Sequence, residues 1–298
     1  VKDGSALERL AEADHVLFDK TGTLTLGHPV PVNIDVLNVT QKQVALALAQ
    51  ASRHPVSKGI RTALLALDIE PAVLDQIKEV PGEGMTATWG GVTVKLGKPE
   101  KSEDHLSSQL TIGTETVLLQ LKDEIRPDSV AAIARLQTLG LSASIISGDN
   151  IRSVSAVSRA LGLTAQAGAS PQDKVEAIAR LAASGRKVLM VGDGLNDGPA
   201  LAAAHVSIAP GTASDVGQQA ADAVFTSASL MPVALSIRVA RRTMQIVHQN
   251  FALAIGYNIC AVPLALTGMV TPLIAAIAMS LSSLIVVGNA LRLNGSAR

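Results

Sequence analysis

From Thr243 to Leu291 the chain carries no Asp, Glu, Lys or Arg. A helix that crosses a bilayer needs about 20 apolar residues, and this stretch holds two such lengths. The first crossing is expected over Ile246–Met269 and the second over Pro272–Leu291, with Gly268-Met269-Val270-Thr271-Pro272 as the turn. Arg238, Arg241 and Arg242 precede the pair; Arg292 and Arg298 follow it. Cations on both flanks place both ends on the cytoplasmic side, so the pair reads as a helical hairpin in a lipid bilayer. The rival reading is a buried hairpin of a soluble core, where so long a charge-free run is unusual.

Ahead of the hairpin, the 298-residue chain has room for two domains or more. Basic and acidic residues balance at 25 each. That leaves no strongly basic surface and argues against nucleic acid as a partner. A single cysteine, Cys260, rules out an intrachain disulfide framework. The start, Val1-Lys2-Asp3-Gly4, is neither an initiator methionine nor a signal peptide, and an upstream part is expected to be missing.

The apolar run Val16-Leu17-Phe18 reads as a short buried strand that delivers Asp19 to the C-terminal edge of a sheet, where open α/β sheets place their ligands. Lys20-Thr21-Gly22-Thr23-Leu24-Thr25 follows. Its backbone N–H groups and hydroxyls suit a phosphoryl group beside a carboxylate that can act as nucleophile. From Asp123 strands alternate with helices: a helix at 128–139, strand Ser142–Ile146, a helix capped by Asp149, a helix opened by Pro171, strand Val188–Val191, then short strands at Val206–Ala209 and Ala223–Thr226. That alternation implies a parallel sheet with helices on both faces. Residues 1–30 and 123–230 are therefore expected to form one domain. Residues 31–122, with two helices followed by short strands, are expected to form an inserted α+β domain, and 240–292 the two membrane helices.

Three further segments of the α/β domain place polar groups at strand ends. Ser147-Gly148-Asp149 offers a hydroxyl and a helix N-terminus for phosphate oxygens. Lys174 offers a positive charge. Gly192-Asp193-Gly194-Leu195-Asn196-Asp197 offers carboxylates and an amide, and Asp19 with Asp193 would suit magnesium, which takes a few carboxylates plus phosphate oxygens and water. Singly, Lys174 reads as a solvated helix lysine and Asp149 as a helix cap. In the order carboxylate, hydroxyl-Gly, Lys, Gly-Asp, they resemble the site of the haloacid-dehalogenase-type fold. Phosphatases of that fold usually carry a second Asp two positions after the nucleophile as general acid and base. Thr21 stands there instead, so an aspartyl-phosphate is expected to persist, as a conformational switch requires.

With these segments, Pro199-Ala200-Leu201 and the hairpin, the chain resembles the C-terminal part of a heavy-metal-transporting P-type ATPase. The resemblance implies a Rossmann-like phosphorylation domain of the haloacid-dehalogenase type in which Asp19, followed by Lys20 and Thr21, is phosphorylated by ATP. It implies that Asp19, Asp193 and the Thr21 carbonyl bind Mg2+, that Lys174 stabilises the phosphate, and that Asn196 and Asp197 organise the site. The insert resembles the family's nucleotide-binding domain. His54 and Pro55, in Ser52-Arg53-His54-Pro55, match the His-Pro motif near the adenine, and Gly82 and Gly84 match the Gly-x-Gly that lets backbone approach the nucleotide. Two positions depart from the family: Ala49 replaces a Glu and Lys98 an Asn.

In the hairpin, Tyr257 and Asn258 fall in the first crossing and Met279, Ser282 and Ser283 in the second. The last three share one helix face. Polar groups inside membrane helices mark pathways, and a thioether selects Cu(I) over hard cations; small residues that pack helices are the bland alternative. By resemblance these five residues bind Cu(I), with Ag(I) as a second cargo. The resemblance further implies delivery of copper by a chaperone, residence in a bacterial inner membrane with the catalytic domains in the cytoplasm, and an upstream Cys-Pro-Cys helix and actuator domain. The ending Asn289-Ala290-Leu291-Arg292-Leu293 resembles copper pumps of the cytochrome oxidase assembly branch. A phosphatase of the same fold, a pump for Ag or Zn, and a non-catalytic membrane scaffold are the alternatives.

Overall fold

A computed structural model describes residues 1–27, 29–99, 106–194, 197–227, 229–268 and 270–295. Helix α1 (Gly4–Glu12) and strand β1 (His15–Asp19) open the chain. Next come β2 (Val30–Pro31), α2 (Val39–Gln50), α3 (Pro55–Leu65), β3 (Asp75–Val80), β4 (Gly84–Trp89), β5 (Val92–Gly97), β6 (Ser107–Ile112) and β7 (Glu115–Lys122). The chain continues through α4 (Ser129–Thr138), β8 (Ser142–Ile146), α5 (Ile151–Leu161), β9 (Thr164–Gln166), α6 (Pro171–Ala183), β10 (Val188–Val191), α7 (Gly198–Ala203), β11 (Val206–Pro210), α8 (Asp215–Ala220) and β12 (Ala223–Phe225). It ends in α9 (Met231–Leu266) and α10 (Pro272–Leu291). Two compact units result: Val1–Lys20 with Pro127–Arg298, and Thr21–Arg126.

The first unit is built on a parallel sheet of order β12-β11-β10-β1-β8-β9. Strands β1 and β10 are buried throughout; a strand covered on both faces reads as a continuous apolar run, as Val16–Phe18 and Val188–Val191 do. The register sets Phe18 beside Val191 and Asp19 beside Ile146. Asp19 therefore emerges between the loops that follow β8 and β10, which is why Ser147 and Asp193 flank it.

His15, at the other end of β1, is buried between two serines: Nδ1 lies 2.7 Å from the Ser142 hydroxyl and Nε2 2.8 Å from that of Ser144. Burial lowers its pKa below the ordinary 6.5, and the Arg186 charge adds to this. A histidine held neutral contributes stability that is present above the unfolded pKa and lost as pH falls through the lower folded one. The stability margin of wild type over His15→Gln in detergent should therefore shrink as pH falls from 7 to 5; a constant margin would show that titration of the ring contributes nothing.

The second unit is an antiparallel sheet, β2-β7-β6-β5-β4-β3, with α2 and α3 packed on one face. Val44, Leu48, Ile60 and Leu64 from the helices meet Val94, Leu96, Leu110 and Leu119 from the strands. Alternate residues of β4, β5 and β6 point into this core, the pattern of a sheet with one covered face. Helix α2 starts on a capping box, Asn38 with Gln41, and α3 on His54 with Pro55 in its first turn.

The sequence reading is corrected at several points. The apolar stretch expected to begin a crossing at Ile246 continues a helix that begins at Met231. Nothing breaks it before Pro263, so Arg238, Arg241 and Arg242, which precede the charge-free run, are helical as well. At about 1.5 Å per residue its 36 residues extend roughly 54 Å. Its first half buries Val233, Ala234, Ile237 and Ala240, packing against α1 and α4. Both α9 and α10 hold windows long and apolar enough to cross a membrane, with none of either window buried. The cap of α5 is Asn150, whose side chain accepts from Ser153 N–H, and not Asp149. Helix α1 and strand β6 are elements that the sequence pattern does not announce.

Candidate active site

Helix α6 begins on a reciprocal cap: the Ser170 hydroxyl accepts from Asp173 N–H, and Asp173 accepts from Ser170 N–H at 2.8 Å. This fixes the first turn and aims Lys174 inward. Its Nζ donates to Asp19 Oδ1 at 2.6 Å and to Asp197 Oδ1 at 2.5 Å. All three side chains are buried, with Asp19 and Lys174 each 5% exposed and Asp197 1%. Asp193 completes the group: carboxylate oxygens of Asp19, Asp193 and Asp197 lie within 4.8 Å of one another.

The charges do not balance within this cluster, since against three carboxylates Lys174 brings one ammonium. Burial pushes the Asp19 pKa up to about 7, the Asp197 charge adds to the rise, and Lys174 opposes it. Burial also disfavours the Lys174 charge, but Asp19 and Asp197 outweigh it and hold its pKa above the ordinary value. Close carboxylates, strained by their own repulsion, are the donor set a small divalent cation would relieve, so the residues present fit Mg2+.

The loop carrying Asp193 owes its shape to two glycines. Gly194 has φ +76°, and a Cβ there would stand 1.9 Å from the Gly217 Cα; a Cβ on Gly217 would stand 2.3 Å from the Asp193 carbonyl oxygen. The two backbones can touch only because both side chains are absent. The Asp193 carbonyl also accepts from Ser214 N–H at 3.1 Å. Leu195 and Asn196, within the same motif, lie outside the described residues.

Lys20 turns away from this cluster. Its fully buried ammonium pairs with Asp149 at 2.6 Å and donates to the Ser153 hydroxyl at 2.9 Å. Asp149 is thus committed to an ion pair, which explains why the neighbouring Asn150 caps α5. The Ser147 hydroxyl accepts from Asp149 N–H at 3.2 Å and holds the loop after β8; Gly148 follows it. In the second unit, Thr21 is extended (φ −76°, ψ 130°) and Gly22 turns at φ +70°. The sequence reading missed Arg126. Its guanidinium, 4% exposed, donates to the carbonyls of Thr23 at 2.7 Å and Gly22 at 3.0 Å. One arginine therefore fixes the backbone that follows Asp19 and Lys20. The available signal was an arginine next to a proline, Arg126-Pro127, on the return crossing between the two domains.

The second unit also holds a cavity of about 590 Å3, lined by Ser52, His54, Glu79, Gly82, Gly84 and Lys98 among others. His54 and Gly82 are thus at one cavity, and Pro55 is the first residue of α3 beside it. Gly84 serves the sheet as well: with φ +125°, a Cβ there would come within 2.4 Å of the Leu96 carbonyl oxygen. Ala49 is fully buried in the core of this unit, so the position offers no polar group to a ligand.

In the hairpin, Tyr257, Ser282 and Ser283 line one groove of about 600 Å3 between α9 and α10. Met279 and Asn258 are not among its lining residues, and Met279 is 63% exposed. Ser282 donates to the Met279 carbonyl and Asn258 to that of Ala254, each on its own helix.

The family model of haloacid dehalogenase-like hydrolases matches residues 13–205. Among curated relatives, nitrogen fixation protein FixI of Rhizobium leguminosarum bv. viciae is 47% identical over 308 residues, covering 99% of this chain and 40% of the relative. A copper-transporting ATPase of Helicobacter felis is 35% identical over 315 residues, covering 99% of this chain and 43% of the relative. A solved zinc-transporting PIB-type ATPase in its E2.Pi state matches with a TM-score of 0.76 at 30% identity, over 98% of this chain and 52% of that one. The catalytic domain of the CPx-ATPase CopB-B, described for its conformational changes upon nucleotide binding, matches with a TM-score of 0.65 at 29% identity, over 80% of this chain and 94% of that domain. The chain spans about 40% of the length of the curated relatives it matches. It belongs to the haloacid dehalogenase-like hydrolase family, where its relatives include metal-transporting ATPases.

Proposed function

We propose that the chain forms the catalytic and C-terminal membrane parts of an ATP-driven metal pump that passes through an aspartyl-phosphate on Asp19, with Cu(I) as cargo. The observation that carries this reading is the buried cluster of Asp19, Lys174, Asp193 and Asp197, combined with Thr21 where a phosphatase carries its second Asp. One Asp19 oxygen attacks the γ-phosphorus in line, the bond to the bridging oxygen breaks, and ADP leaves with its electron pair. Lys174 opposes the rise of the Asp19 pKa, which favours the ionised nucleophile, and neutralises charge on the transferred group. Asp19 and Asp193, with the Thr21 carbonyl, would hold Mg2+, which when bound offsets the negative charge of the phosphates. Lys20, Ser147, Gly148 and Asp149 shape the neighbouring loops, and Asn196 and Asp197 complete the site. ATP would bind through the second unit at His54, Pro55, Gly82 and Gly84.

Tyr257, Ser282 and Ser283 in the hairpin groove, with Asn258 and Met279, form the proposed cargo path. The soft sulfur of Met279 favours Cu(I), with Ag(I) close behind. The likeness to a zinc transporter makes Zn(II) the rival. A copper chaperone as donor and a bacterial inner membrane as setting complete the proposal. The test follows acid-stable label from γ-labelled ATP in membranes carrying the protein, with Cu(I), Ag(I) or Zn(II) added. Label that depends on Cu(I) or Ag(I) and disappears in Asp19→Asn is expected. Label supported by Zn(II) alone would overturn the cargo, and rapid turnover of a generic phosphate ester would favour a phosphatase.

A further inference from the structure

We infer that Glu79, oriented by Ser52, is a specificity-determining residue of the cavity in the second unit that accepts from the 6-amino group of a purine, while His54 donates to a ring nitrogen. This deepens the ATP reading and rests on it. Glu79 lies on β3 and lines the cavity together with Ser52, His54, Met85, Leu96 and Lys98. A cavity of this size holds a nucleoside, and Met85 and Leu96 supply apolar lining for a base.

The hydrogen-bond directions at this wall are fixed by the structure. The Ser52 hydroxyl, 5% exposed, accepts from His54 N–H at 3.1 Å. Its own proton is then free for Glu79 Oε1, which lies 3.5 Å away. That contact orients the carboxylate and leaves its remaining lone pairs for a ligand. A carboxylate accepts and never donates. His54 Nδ1 accepts from Val56 N–H at 3.3 Å, so the neutral ring carries its proton on Nε2 and offers a donor.

At this wall the cavity thus presents an anionic acceptor and an N–H donor, while Glu83, the other lining carboxylate, faces Lys95 at 3.6 Å. A carboxylate repels a polyphosphate, so Glu79 serves the base end, and Lys98 is the cation left for the phosphates. Adenine complements this wall, since its exocyclic amine donates and its ring nitrogens accept. A 6-oxo purine presents an acceptor to Glu79 and leaves it unmatched.

Binding of ATP and of inosine triphosphate to the purified chain in detergent, by titration calorimetry, tests the assignment. Wild type should prefer ATP by about ten-fold, the scale of one hydrogen bond to a charged group. Glu79→Ala should remove the preference by weakening ATP and sparing the inosine nucleotide. Glu79→Gln, whose amide can donate to the 6-oxo group, should shift the ratio toward the inosine nucleotide. A ratio unchanged from wild type in both variants overturns the role of Glu79 alone. Failure of wild type to bind either nucleotide overturns the ATP reading, and this inference with it.

Discussion

Lys174→Met should destabilise the protein by about 3–5 kcal/mol near neutral pH, the usual cost of stripping one partner from a buried ion cluster. It should also reduce phosphate incorporation by at least about 100-fold, the scale of removing one charge-stabilising donor. The pH dependence carries the diagnosis. Burial and the Asp197 charge already raise the Asp19 pKa to about 7 against the opposing pull of Lys174; without the ammonium it rises further. A carboxyl whose folded pKa lies above its unfolded value loses stability as pH rises from the unfolded toward the folded pKa. The variant should therefore approach wild-type stability near pH 4–5 and fall away toward pH 8, more steeply than wild type does. Millimolar Mg2+ should recover part of the loss, because a cation at Asp19 and Asp193 supplies the missing charge. Asp19→Asn in the Lys174→Met background should restore stability without restoring phosphorylation. A double-mutant cycle by thermal unfolding, with label incorporation beside it, measures this; additive stability losses would mean that Asp19 and Lys174 do not interact as their 2.6 Å separation requires.

The sheet of the first unit was legible because its central strands are buried on both faces, so Val16–Phe18 and Val188–Val191 announce themselves without alternation. Helix α6 was legible from Pro171, its opening residue. Elements with little apolar surface were not. Helix α1 buries only Ala6 and Leu10, too thin a stripe to separate from a loop. Strand β6 opens on Ser107-Ser108-Gln109, and its buried Ser108 is satisfied by the Gly97 carbonyl rather than by apolar packing. Neighbouring Asp149 and Asn150 could each have capped α5; the ion pair to Lys20, separated by more than a hundred residues, decided between them. Periodicity alone sets Met279, Ser282 and Ser283 on one face of α10, but it cannot fix how that face is rotated against α9, and the groove takes the serines without the methionine. Arginines acting through backbone carbonyls, Arg126 and Arg241, leave the faintest trace, because their partners have no side-chain identity.

Arg241→Ala should loosen α9 from α1 and α4 while leaving the central sheet intact. Its guanidinium donates to the carbonyls of Ala11 at 3.2 Å, Ala13 at 2.9 Å and Leu139. These carbonyls lie at the C-terminal ends of α1 and α4, where helices leave acceptors unsatisfied and favour a cation. At the start of α9, Asp128 accepts from the Ser229 hydroxyl and Leu230 N–H, both at 2.6 Å, and from Met231 N–H at 3.2 Å. Burial opposes the Asp128 charge, but these donors outweigh it and hold the pKa below the ordinary carboxylate value. The domain half of α9 is therefore clamped at both ends, with Val233, Ile237 and Ala240 buried between. Since α1 leads into β1 and Asp19, the same clamp ties the helix that continues into the hairpin to the segment that carries the buried Asp19 carboxylate. Removing the Arg241 guanidinium strands three partly buried carbonyls, at a cost of about 2 kcal/mol. Amide exchange should accelerate about 30-fold over residues 233–246 and stay unchanged in β1 and β10, and Arg241→Lys should rescue only partly because an ammonium cannot span three acceptors in one plane. Uniform acceleration across the whole unit would show that Arg241 supports global stability rather than the seating of α9. Asp128→Asn should give a weaker version of the same local pattern, and wild type itself should approach it as pH falls through the lowered pKa of Asp128, since the stability from that carboxylate is present above its unfolded pKa and lost below the folded one.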